Sequence, residues 1–75
     1  MSIVRELLDD AIALQKDGVS PSRIGLALTD RWEAEALGAE GSVKRTRSPL
    51  GEIELLFPGG ERIVWNGKSW NYLSA

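Results

Sequence analysis

The chain contains neither histidine nor cysteine, so its chemistry would have to come from carboxylates, lysines, its one tyrosine or an activated serine. The usual general base near neutral pH and the commonest metal ligands are missing. Asp9 and Asp10 are adjacent. On a helix, neighbouring side chains diverge by about 100°, so these two cannot readily share a proton or a metal ion. Glu33 and Glu35 are off-face from one another for the same reason. No acid pair has metal-ligand spacing, and Pro58-Gly59-Gly60 lacks the pattern of a phosphate-cradling loop. The acids read as solvated helix surface. The sequence argues against an enzyme, and no cofactor, metal site or catalytic residue is expected.

Binding is better supplied than catalysis. Lys44-Arg45-Thr46-Arg47 is a basic run, and Asp30, Glu33 and Glu35 form an acidic stretch around Trp32. Residues 1–40 hold eight acids against four bases, and residues 41–75 hold five bases against three acids, so a net charge of −2 divides into −4 and +2. Trp and Tyr accompanied by arginine are the residue types enriched in protein-binding hot spots. Three tryptophans in 75 residues is dense. Core packing is the first reading of Trp32, Trp65 and Trp70, with Trp70 expected to be the most exposed because it lies on the last strand. The candidate partner-binding residues are therefore Asp30, Glu33, Glu35, Arg45, Arg47, Trp70 and Tyr72.

These residues need elements to carry them. Ile3, Val4, Leu7, Leu8, Ala11, Ile12 and Leu14 recur at helical spacing. They predict a helix over about 3–17, with Ser2 as N-cap and Gly18 as left-handed C-cap. Ser20-Pro21 opens a second helix over about 21–37, with Ile24, Leu28, Trp32 and Ala36 every four residues. Gly25 inside it implies close approach to the first helix. A rival break at Thr29-Asp30, with Asp30 and Glu33 in capping-box spacing, would create a third helix. Gly38-Ala39-Glu40-Gly41 ends the segment in either case.

Strands are expected over about 42–47, 52–57, 61–65 and 68–73. Pairing outward from the Ser48-Pro49-Leu50-Gly51 turn sets Arg47 opposite Glu52, Arg45 opposite Glu54 and Val43 opposite Leu56. Treating Pro58-Gly59-Gly60 as a three-residue loop with a bulge pairs Phe57 with Glu61 and Leu55 with Ile63. A two-residue turn at Asn66-Gly67, the strongest short hairpin signal, pairs Trp65 with Lys68 and Ile63 with Trp70. Ile53, Leu55, Phe57, Ile63, Trp65, Trp70 and Tyr72 then share one face. The expected architecture is α+β: two N-terminal helices packed on one face of a small antiparallel β-meander of three to four strands, in one domain spanning 1–75.

The functional expectation follows by exclusion. The chain reads as a small non-enzymatic protein-interaction module, in concrete form a phage or mobile-element inhibitor or adaptor that binds a host macromolecular complex. The alternative is a winged-helix-like DNA-binding regulator. Against it stand the acids of the would-be recognition helix and the expected neutralisation of Arg45 and Arg47 by Glu54 and Glu52. The two outer strand edges, near Val43 and over 68–73, offer unpaired backbone for homodimerisation or strand addition. The N-terminus lacks a basic segment followed by an apolar run, and nothing has the length of a membrane span. A cytoplasmic protein without a membrane partner is expected.

Overall fold

Two amphipathic helices and four short strands make up the computed structural model, which describes residues 3–36 and 41–75. Helix α1 (Ile3–Lys16) buries Val4, Leu7 and Ala11. It ends in a Schellman motif: Val19 N–H donates to the Leu14 carbonyl, Gly18 N–H donates to the Gln15 carbonyl, and Gly18 takes φ 85°. Helix α2 (Pro21–Ala36) starts as the sequence directs. Ser20 Oγ accepts from Arg23 N–H at 3.4 Å, and the Ser20 carbonyl accepts from Ile24 N–H at 2.9 Å. The helix runs unbroken through Thr29-Asp30, so no third helix starts there. The expected cap at Ser2 and the terminator at Gly38-Ala39-Glu40 lie outside the described residues.

Strands β1 (Lys44–Arg47), β2 (Ile53–Leu56), β3 (Arg62–Trp65) and β4 (Trp70–Leu73) form one antiparallel sheet in the order β1-β2-β3-β4. Both helices pack on the same face, α1 mainly over β3 and β4 and α2 over β2. The fold is the expected α+β arrangement. Its core joins Val4, Leu7, Ala11, Ile24, Leu28 and Trp32 of the helices to Ile53, Leu55, Phe57, Ile63 and Trp70, with Trp65 and Tyr72 partly buried against it. Trp32 meets Phe57 edge to face at 5.3 Å, which ties α2 to the end of β2.

The three turns treat the expected registers differently. At Pro58-Gly59-Gly60, Gly60 N–H donates to the Phe57 carbonyl, Phe57 N–H donates to the Glu61 carbonyl, and Gly60 has φ 93°. This is a three-residue loop with a glycine bulge, and it sets Leu55 opposite Ile63 as expected. At Ser48-Pro49-Leu50-Gly51 the same geometry recurs. Gly51 N–H donates to the Ser48 carbonyl, Ser48 N–H donates to the Glu52 carbonyl, and Gly51 has φ 86°. The expected two-residue connection is thus one residue too short. Arg47 faces Ile53, Arg45 faces Leu55 and Thr46 faces Glu54, so the expected Arg47–Glu52 and Arg45–Glu54 pairs do not form. A one-residue shift moves every side chain of a strand to the other face.

The third turn lies one residue later than expected, with Gly67-Lys68 as its two-residue connection, which shifts the register by two. Asn66 Oδ1 accepts from both Lys68 N–H and Ser69 N–H at 2.9 Å, and Asn66 N–H donates to the Ser69 carbonyl. Trp65 therefore opposes Trp70 and Ile63 opposes Tyr72. A shift of two preserves the faces, so the apolar set stays together.

Gly25 also departs from expectation. A methyl group built on it would meet Arg45 Cδ at 3.7 Å, Ile53 Cγ2 at 3.8 Å and Leu55 Cδ2 at 3.9 Å, so it abuts the sheet rather than α1. Those are ordinary van der Waals distances. Gly25→Ala is therefore expected to stabilise the protein by up to about 1 kcal/mol through helix propensity. The same substitution at Gly51, whose φ is positive, is expected to cost about 1–2 kcal/mol. Urea unfolding of the two variants should move the midpoint in opposite directions.

Candidate functional site

The register of β1 creates the most distinctive surface of the molecule. All four β1 residues are exposed, and Arg45 and Arg47 lie on the helix-covered side of the sheet, beyond the rim of α2. The aliphatic stem of Arg45 runs past Gly25. Between α2 and β1 opens a groove of about 250 Å³ lined by Ser22, Leu26, Arg45, Thr46, Arg47 and Ile53. Its floor is apolar, since Ile53 belongs to the core and Leu26 is 48% exposed. Neither guanidinium makes a hydrogen bond or ion pair with a described residue. Glu54 instead pairs with Arg62 at 3.2 Å across β2 and β3, and Glu52 is held by the Ser48 hydroxyl at 3.3 Å. The first turn of α2 holds no acid, so the positive end of the helix dipole reinforces the arginines at Ser22. The arrangement can receive an anionic group whose non-polar part rests on Leu26.

No family model, curated protein or solved structure matches the chain. The site must be judged on its own geometry.

The other candidate residues are not gathered there. Asp30 and Glu33 are exposed on α2. Glu35 bonds Arg31 Nε at 3.3 Å, and Arg31 also pairs with Asp10 of α1, so Glu35 belongs to a charge cluster tying the two helices together. Trp70 corrects the expectation of exposure. It is 4% exposed, because α1 packs over β4 and covers the edge the sequence left open. Its ring lies 5.6 Å from that of Trp65, and its buried Nε1–H has no acceptor among the described residues. Such a donor costs about 1–3 kcal/mol. Leu26 escaped the sequence reading. Its signal was an apolar side chain two residues off the Ile24–Leu28–Trp32 stripe, which solvation of a helix surface does not require.

Among the described residues no group of acids is placed to hold a metal ion, and no helix is long and apolar enough to cross a membrane. Tyr72 forms a second polar cluster, donating its hydroxyl to Glu61 while the Arg5 guanidinium sits 5.3 Å over its ring. The bond to Glu61, followed by desolvation and the glutamate's charge, raises the phenol above its ordinary value, and Arg5 opposes the rise. The neutral phenol is thus favoured in the folded state. Its stabilisation is complete below about pH 10, the unfolded value, and is lost as pH rises through the higher folded value. Tyr72 is the only tyrosine, so absorbance titration of the native protein should give one phenol midpoint above that of the urea-unfolded chain. Tyr72→Phe should remove this alkaline loss from a stability–pH profile.

Proposed function

We propose that the protein is a non-enzymatic interaction module that binds a protein partner, with the α2–β1 groove as its contact surface. The observation that carries this is the pairing of two unengaged arginines with an exposed leucine and an apolar floor, beside a strand at the sheet edge. Arginine beside a desolvatable apolar pocket is a hot-spot composition. The concrete form we favour is a small inhibitor or adaptor, of phage or mobile-element type, acting on a host macromolecular complex in the cytoplasm. Small size and a side-chain repertoire better suited to binding than to catalysis support it.

A nucleic-acid reading gains from one observation and loses from another. Arg45 and Arg47 are not neutralised by Glu54 and Glu52, which leaves them available to phosphates. The segment meant to enter a DNA groove is instead the continuous second half of α2, with Trp32 buried and Asp30 and Glu33 exposed. Phosphates would be repelled by those acids. Protein binding accounts for both the groove and the acidic helix.

The test is affinity capture from the native host with wild type, R45E/R47E and E33K/E35K. A specific protein retained by wild type and weakened at least about tenfold by R45E/R47E is the expected result. Loss on E33K/E35K alone would move the contact to the acidic face of α2. Duplex DNA shifted by purified protein at about 150 mM salt, with no protein retained, would overturn the reading.

A further inference from the structure

Resting on that reading, we propose that the groove takes an extended acidic segment of the partner, which adds to the sheet as a fifth strand along β1. β1 is an edge strand, so one side of its backbone is unpaired. The bond from Ser48 N–H to the Glu52 carbonyl fixes which groups these are. Bonded pairs recur at every second residue of an antiparallel ladder. Thr46–Glu54 and Lys44–Leu56 are therefore the bonded pairs, and the N–H and carbonyl of Arg45 and Arg47 point off the sheet. The same two residues carry the side chains that line the groove. Backbone bonding capacity and positive charge thus fall on the same alternate residues.

This coincidence specifies the occupant. A strand laid antiparallel along β1 exchanges backbone bonds with Arg45 and Arg47, and its residues opposite them face the groove. Side chains at those positions meet two guanidinium groups, so carboxylates at alternate positions are selected. Leu26, exposed on the groove wall, supplies apolar cover for their methylene stems. A second copy of this chain is a poor occupant. In the antiparallel register centred on Thr46, β1 against β1 would set Arg45 opposite Arg47 twice with Lys44 close by, and like charges directly opposite are destabilising. The chain's own acidic residues 1–36 cannot serve either, because nearly all of them lie in α1 and α2, whose backbone bonds are already made. Charge on an edge strand commonly serves to prevent self-pairing. Here the same charge leaves an acidic strand as the complementary partner.

The probe is a short blocked peptide in which glutamate alternates with valine, titrated into the intact protein at about 150 mM salt. Binding should weaken at least about tenfold in R45Q/R47Q, and also when the peptide is N-methylated at its glutamate nitrogens. Replacing glutamate with lysine in the peptide should abolish it. Amide hydrogen exchange at Arg45 and Arg47 should slow on binding, while Lys44 and Thr46, already bonded to β2, should change little. Circular dichroism of R45Q/R47Q controls for folding. Binding indifferent to N-methylation, or leaving the Arg45 and Arg47 amides unprotected, would overturn strand addition. So would a mixed-sequence DNA duplex binding through Arg45 and Arg47 where the peptide does not. If the peptide fails while R45E/R47E still releases a captured protein, only the strand-addition inference falls; if no arginine-dependent protein is captured, the underlying reading falls.

Discussion

The Ser48–Glu52 closure sets the phase of everything on the rim of this sheet. Side chains of a strand alternate with a period of two, so the length of one turn decides which residues face the helices. With Gly51 absorbed as a left-handed bulge residue, β1 presents Arg45 and Arg47 to the helix side and Lys44 and Thr46 to the open side. One residue fewer would have put both arginines beside Glu52 and Glu54 on the solvent face. The charge that faces the groove follows from that turn.

The rest of the molecule is arranged so that the rim need not contribute to the core. The buried residues come from α1, α2, β2, the Phe57 that follows it, β3 and Trp70 of β4; none come from β1. A chain of this size has little apolar area to spare, and the absence of cysteine removes any disulfide. It compensates with contacts between elements far apart in the sequence: Trp32 on Phe57, Asp10 with Arg31, and Arg5 over Tyr72, whose hydroxyl donates to Glu61. The Nε1–H of Trp70, without an acceptor among the described residues, is a cost accepted for the volume of its ring.

Much of this was legible in the sequence where two signals agreed. Gly18 after Lys16 and Ser20 before Pro21 located the helix ends, because capping chemistry is local. The β2–β3 register was legible because the glycine pair after Pro58 allows a bulged loop and the flanking alternation demanded it. Ser48-Pro49-Leu50-Gly51 fits a two-residue or a three-residue connection equally, and β1 has no apolar alternation to decide between them. Opposite charges then favoured the wrong one. At Asn66 the side chain replaces a backbone group in closing the turn, which residue identity alone did not reveal. Trp70 looked exposed because strand order places β4 at an edge, whereas its burial depends on where α1 lands. Of the candidate site, Arg45 and Arg47 were visible as a basic run, but their common direction and their neighbour Leu26 depend on the tertiary packing of α2.

The Trp65–Trp70 pair has an optical consequence. Two indoles with centroids 5.6 Å apart and planes inclined at 42° are close enough for their electronic transitions to couple. They straddle β3 and β4, the strands that α1 covers. Lifting α1 would expose Trp70 and loosen the angle between the rings while the ladder beneath remained paired. The couplet they add to the ultraviolet circular dichroism therefore follows the docking of one helix, apart from the α-helical signal itself. The chain carries its own chromophore pair for watching that helix undock.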